Sequence, residues 1–426
     1  MATIHIPTEL VAPIFNPATF ADRDAVHTML TRLRHDYPLG IAEVPGYDPH
    51  WIVTRFKDLR EIARQDNIFH SGDRSKTLAS QFAEQLMRDY SGGPQVFRMI
   101  AHMDEPDHSA HRNVLADRFV PQNIAKLKEG VSELARTHVD RMAAMDGQCD
   151  FLPAVAGQYP VEIICDLLGV PREDKELFIR LAHWFFCYAD PELRRPGADP
   201  TNPGEIIKTW TLAYEEFRDY FGKLIAERRA RPRDDISTVL ANGQVHGNPM
   251  DERAIISYFA IVATAGHDTT TATLANSMAV LAERPELLAR LKADMSLVPR
   301  FIEEAIRWTS PAQHFIRSAT QDYELGGQLI RKGDLLYLSY LSGNRDETEF
   351  DDPFTFNIDR TPNRHLGFGY GAHICLGQHL SRLEMRCFWE ALLPRLESVE
   401  LAGPVQWIQA EFVCGPKSVP LRFKLN

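Results

Sequence analysis

Apolar residues in this 426-residue chain recur mostly at helical spacing. The pattern predicts helices over residues 125–144, 160–168, 173–188 and 205–231. The longest run, 251–283, is DERAIISYFAIVATAGHDTTTATLANSMAVLAE. Apolar residues occupy nearly every side of it, which predicts a helix buried in the middle of the protein. Period-two patterns are fewer. IAEV and WIVTRF flank a PGYDP turn and predict a hairpin, with a helix from about Lys57. Polar, glycine-containing sequence over 71–94 predicts a long loop around a short helix. The helical segment VPRFIEEAIRWTSP closes at Pro311, and the run YELGGQLIRKGDLLYLSYL and the tail over 398–426 read as short strands. The fold class expected is mainly α with a minor β portion. Residues 1–426 read as one domain, a helix-rich body with a smaller β-containing lobe.

Two places break these patterns. DPELRRPGADPTNPG holds four prolines and cannot be helical throughout. It is either an inert surface loop or a movable lid. AGHDTTT, Ala265–Thr271, puts an acid and a cluster of threonines inside the buried helix. Threonine hydroxyls bond back to helix carbonyls, and Gly266 weakens the same turn, so a local bulge opening a notch is expected. A merely satisfied polar cluster is the ordinary alternative.

Charge narrows the function. Lys and Arg number 47 against 58 Asp and Glu, a net −11, and no basic run interrupts the acidic balance, so nucleic-acid binding is excluded. The start, MATIHIPTELVAPIF, lacks a signal-peptide pattern, and no apolar run approaches a membrane span. A soluble cytoplasmic monomer is expected. The six cysteines form no CxxC pair, and five suit ordinary core positions.

Cys375 is the exception. In HLGFGYGAHICLGQHLSRLEM it stands among Gly367, Gly369, Gly371 and Gly377, just before a helix expected from about Leu376. Glycine allows close approach of a flat ligand, and a helix N-terminus favours a thiolate. Phe368, Gly371, His373, Cys375 and Gly377 reproduce F-x-x-G-x-H-x-C-x-G. The chain thereby resembles the cytochrome P450 family, whose haem-binding signature this is. Ala265, Gly266, Asp268 and Thr269 match that family's [AG]-G-x-[DE]-T motif, and Glu304 and Arg307 match its E-x-x-R pair. Arg360 occupies the place of the arginine that completes the E-x-x-R network, and Asn344–Arg345–Asp346 also fits.

The resemblance implies a single haem-thiolate fold with haem b as cofactor and Cys375 as axial ligand, shielded by Phe368 and cradled by Gly371 and Gly377. It implies that His108, Arg112, Arg317 and His365 pair with the haem propionates. Thr269 would bond the iron-bound oxygen species and Asp268 would relay protons to it, while His267 is assigned no chemistry. Glu304, Arg307 and Arg360 would be structural. The implied reaction is monooxygenation by dioxygen. Because no GxGxxG is present, electrons would come from a ferredoxin and its flavin reductase, with Arg364, Arg382 and Arg386 forming a docking patch or simply solvated. The substrate pocket would draw on Ile261, Ala265, Ala312, Phe315, Phe412 and Val413, and on the loop over 94–99. Gln313 and His314 would either read one polar group or bond to backbone or haem. ATAGHDTT, EEAIRWTSP and GPKSVPLRF resemble the bacterial terpineol-hydroxylating group, which implies a monoterpenoid or alkylbenzene such as α-terpineol or p-cymene. A peroxygenase and a haem-based gas-binding protein are the rival readings.

Overall fold

The stretch of 251–283 forms two helices rather than one in the computed structural model, which describes residues 3–426. Asp251 caps the first, Glu252–Ala265, by accepting the Ala254 N–H at 2.8 Å. The second runs Asp268–Glu283. Both are buried along most of their length, as their all-round apolar character requires. The break falls at Gly266–His267, where a Cβ on Gly266 would lie 2.6 Å from the Ile164 side chain. Close packing against the helix Tyr159–Leu168 therefore needs glycine there.

Around this pair the helices Lys128–Ala143, Lys175–Phe186, Pro203–Ala230, Val298–Thr309 and Gln378–Leu392 share one large apolar core. The expected segments are present with shifted ends; the proline-rich stretch is a series of turns between Lys175–Phe186 and Pro203–Ala230. The short helix within 71–94 is Gln81–Ser91, capped by Ser80.

The hairpin is also present, Leu39–Ala42 antiparallel to His50–Val53. Its place in a five-stranded sheet depends on distant chain. Leu335–Ser339 joins His50–Val53 in parallel, His314–Ala319 follows, and Phe69–His70 closes the far edge. Separate apolar clusters cover the sheet's two faces. A second sheet pairs Leu396–Leu401 with Pro420–Leu425 and then with Gln148–Asp150, a strand without a sequence signal of its own.

The segment Asn344–Asp346 ties these layers together. Asn344 donates to Ser310 Oγ and accepts the Leu366 N–H, both within 2.8 Å. Arg345 caps the carbonyls of Arg307 and Trp308, and Asp346 accepts the Phe56 N–H at 2.7 Å. These bonds fix the approach of residues 366–377, where the sulfur is presented.

Candidate active site

Cys375 lies on the wall of a cavity of about 310 Å³ and is exposed into it. Its loop is closed on itself by a backbone bond, the Cys375 N–H donating to Phe368 O at 2.8 Å. Gly369 and Gly371 have φ of 71° and 74°, the left-handed region that favours glycine. A Cβ on Gly371 would sit 1.8 Å from Ala63 O. Gly371 therefore lets the loop lie against the end of the helix Phe56–Ala63; it does not line the cavity, contrary to the expected contact with a ligand. Gly377 does line it, with the Sγ of Cys375 3.9 Å from where its Cβ would be.

The thiolate expectation also needs amendment. Burial pushes the Cys375 thiol above its ordinary range, and the Gly377 N–H, Arg112 and Arg382 only oppose that. Burial, rather than the local field, favours the thiol, and a coordinated metal ion is what would ionise it. Cys414 is no rival: it is buried, with Sγ 3.7 Å from Phe20 O and 3.4 Å from Ile408 O, and it is absent from the wall.

Along the broken helix the threonines divide. Thr270 meets Ser381 Oγ at 3.0 Å, Thr271 donates to Ala156 O at 2.9 Å, and Thr273 donates to Thr269 O at 2.9 Å. These three are satisfied polar groups, as the ordinary reading has it. Thr270 and Thr273 share the cavity wall with Thr269, but Thr269 differs because its bond to Ala265 O is long, at 3.3 Å. Asp268 points elsewhere. It is absent from the wall and lies beside the buried His267, whose Nε2 is 3.0 Å from Asp268 Oδ1. That contact is off the hydrogen-bond axis, since His267 Nε2 has no aligned partner; its Nδ1 meets Ala263 O at 2.7 Å. Burial opposes both charges, yet each is stabilised by the other: His267 is raised and Asp268 lowered.

A set of basic groups shares the cavity wall, and the one carboxylate on that wall, Glu411, is bonded to Tyr188 rather than to any of them. Arg317 bonds only the Ile316 carbonyl, at 3.3 Å, and burial lowers its pKa. Arg112 donates to Ile374 O at 2.7 Å. His108 stacks on His373 with ring centroids 3.9 Å apart, and its Nδ1 is unpartnered; Glu105, at 3.5 Å, is misaligned. His373 is driven down to about 2 by burial and then by Arg317, His108 and Arg112. Lys76, 3% exposed, donates to Ser71 Oγ at 2.9 Å, and Ser71 Oγ lies 3.3 Å from His373 Nε2. Three cationic side chains, Arg112, Arg317 and Lys76, facing one space would be costly unless anions enter it. Haem, with two carboxylates and an iron that takes sulfur, fits this cavity.

Sequence reasoning missed Lys76 and misplaced one histidine. His365 is not on the wall: its Nε2 lies 3.1 Å from Glu303 Oε2, and its Nδ1 accepts the Gly367 N–H at 3.1 Å. His373, two residues before the cysteine, stands among the cations instead. The signature H-x-C was the available signal for it; nothing in the sequence marks Lys76, which arrives through long-range pairing of its carbonyl with the Ile316 N–H. Phe368 lines the cavity beneath the Arg382 guanidinium, 4.5 Å from its ring centroid. The six expected pocket residues Ile261, Ala265, Ala312, Phe315, Phe412 and Val413 all line the cavity. Gln313 and His314 do not. His314 bonds Glu411 O at 2.9 Å, which settles it as a backbone brace.

Glu304, Arg307 and Arg360 meet as expected. Arg307 is bidentate to Glu304 at 2.7 and 2.8 Å, both fully buried, and Arg360 Nε approaches Glu304 to 3.4 Å. Two of the arginines expected to form a docking patch have their own counter-charges: Arg382 is bidentate to Glu303 and Arg386 pairs with Glu390.

A cysteine offered from a glycine loop into a cation-lined cavity, with a helix broken beside a weakly bonded hydroxyl on the same wall, defines a haem-thiolate oxygenase. The cytochrome P450 family model matches residues 7–418, and the chain belongs to that family. It is 41% identical over 423 residues to cytochrome P450-terp of a Pseudomonas species, covering 99% of both chains. It superposes on the crystal structure of CYP108D1 from Novosphingobium aromaticivorans with a TM-score of 0.91 and 37% identity, covering 99% of this chain and 100% of that one. Mycobacterium marinum CYP268A2 in complex with pseudoionone gives 0.87 and 28% identity over the same shares. The protein is thus a haem-dependent monooxygenase. No helix among the described residues is long and apolar enough to cross a membrane.

Proposed function

We propose that this monooxygenase hydroxylates a small, mostly hydrocarbon molecule of monoterpenoid or alkylbenzene type, such as α-terpineol or p-cymene. The observation that carries the reading is the apolar wall around the cavity: Ile261, Val262, Ala265, Phe186, Phe412 and Val413 leave few polar groups for a sugar or nucleotide. Likeness to cytochrome P450-terp over nearly the whole chain supports it, as does the mostly hydrocarbon ligand pseudoionone in CYP268A2.

Haem bound through Cys375 supplies dioxygen activation, with thiolate donation favouring O–O cleavage. Arg112, Arg317, His108, His373 and Lys76 would hold its carboxylates. Phe368 would keep water from the sulfur. Thr269 gives up little when its 3.3 Å bond to Ala265 breaks, so its hydroxyl is free to turn and donate a proton into the cavity. Asp268, behind the helix break and paired with His267, would restore that proton rather than meet substrate. Electrons would arrive from a ferredoxin served by a flavin reductase, the protein acting as a cytoplasmic monomer. Arg60 and Arg64, which both donate to Tyr370 Oη at 2.9 Å beside the cysteine loop, and Arg364 lack carboxylate partners and suit an acidic donor better than Arg382 or Arg386.

Two measurements test this. Titrating the haem-loaded protein with p-cymene, α-terpineol, camphor and a fatty acid, read through the haem spin state, should give a near-complete shift with one of the first two. A shift with only camphor or the fatty acid refutes the substrate. With ferredoxin, reductase and NAD(P)H, Thr269→Ala should keep oxygen consumption and divert most of it to peroxide. Unchanged product per NAD(P)H would remove Thr269 from proton delivery.

A further inference from the structure

Tyr188 and Glu411 form a hydrogen-bonded pair in the wall of the same cavity. Tyr188 donates to Glu411 Oε1 at 2.9 Å, and Glu411 Oε2 has no partner although the residue is only 4% exposed. The neighbourhood is aromatic: Phe186 and Phe412 have ring centroids 5.8 Å apart, and Trp210 stands edge-on to Tyr188 at 5.9 Å.

Glu411 cannot easily swing away to find a partner. His314 Nδ1 holds its carbonyl at 2.9 Å, the Gln313 N–H donates to Phe412 O at 2.9 Å, and the Cys414 N–H donates to Pro311 O at 3.0 Å. The loop carrying Glu411 is therefore strapped to residues 311–314. Tyr188 arrives from the opposite side, just beyond the helix Lys175–Phe186.

A strut between these two segments would require one carboxylate oxygen, and an apolar pair of the same shape would serve nearly as well. The second oxygen is the unexplained group. Buried polar atoms without partners are rare, and in a binding cavity the missing partner is most simply supplied by the ligand.

We propose that Glu411, positioned by Tyr188, recognises a hydroxyl group, so that the substrate is a small hydrocarbon skeleton bearing one alcohol. This rests on the monoterpenoid reading above and chooses within it, favouring a terpene alcohol over p-cymene. A hydroxyl both donates and accepts, so it suits this carboxyl whether ionised or neutral. Burial pushes the Glu411 carboxyl up with no cation opposing the shift, which favours a neutral partner over an ammonium group. A substrate carboxylate would meet another carboxyl at this position.

The test compares α-terpineol with p-menth-1-ene, the hydrocarbon of the same skeleton, by spin-state titration of the haem-loaded native protein, Glu411→Leu and Tyr188→Phe. The native protein should bind the alcohol about tenfold more tightly than the hydrocarbon, one neutral hydrogen bond's worth. Glu411→Leu should erase that preference by weakening only the alcohol. Tyr188→Phe, which keeps the ring, should reduce it several-fold and leave hydrocarbon affinity unchanged; it also serves if Glu411→Leu does not hold haem. Equal weakening of both ligands, or an unaltered preference in both variants, would overturn the proposal and leave the pair a strut. A native protein that responds to neither ligand would refute the monoterpenoid reading itself, and the alcohol assignment with it.

Discussion

The two arginines Arg307 and Arg422 make ion pairs of equal length, and their removal should have very different consequences. Each lies 2.7 Å from a carboxylate, but Arg307 and Glu304 are 0% exposed, whereas Arg422 and Glu400 are 58% and 59% exposed. Replacing Arg307 by Met leaves Glu304 in the core with the Asn357 N–H, Asn363 and the more distant Arg360. It also strips donors from Asn344 O and Pro353 O; Thr355 O keeps Arg360. Removing one partner of a buried pair costs about 3–5 kcal/mol. For 426 residues the unfolding entropy is about 0.9 kcal/mol/K, so Tm should fall by roughly 3–6 °C in Arg307→Met. Arg422→Ala should shift it by about 1 °C or less, because an exposed pair contributes ~0–1 kcal/mol. Thermal unfolding followed by circular dichroism, with haem absorbance recorded in the same scan, makes the comparison. Shifts of similar size in the two variants would refute the argument that burial, not contact distance, sets the value of these pairs.

Gly371→Ala should prevent stable haem incorporation, because its Cβ would meet the Ala63 backbone and its φ is left-handed; Gly93→Ala, with open space around it, should be silent in the same absorbance assay. Lys76→Met should speed haem transfer to an excess of apomyoglobin by about tenfold or more, the loss of one charge-assisted hydrogen bond; an unchanged rate would remove Lys76 from the carboxylate site. Stability should decline as pH falls from 6.5 towards 4. Burial holds His50 at about 4 and His314 at about 3, so the unfolded chain takes up protons that these folded residues refuse. Each contributes roughly 3 kcal/mol or more that is present above 6.5 and lost progressively below it. Urea midpoints that stay constant between pH 7 and pH 5 would contradict this.

Much of the molecule follows from local pattern. All-round apolarity specifies the buried helix, Gly266 and the threonines mark its break, and the glycines around Cys375 mark the presented sulfur. These are properties of a few adjacent residues, whose conformational limits act whatever lies around them. Three other features depend on residues distant in sequence. Which threonine is left only weakly bonded depends on Ser381 and Ala156 having satisfied Thr270 and Thr271. Which histidine faces the cofactor cavity depends on Glu303 having claimed His365, leaving His373 beside His108. Glycine's role at 371 depends on a helix end more than 300 positions earlier in the chain. A side chain's chemistry is written in its own residue, but hydrogen bonds are exclusive and space is occupied once. The groups left over for function are therefore decided only when the chain has folded.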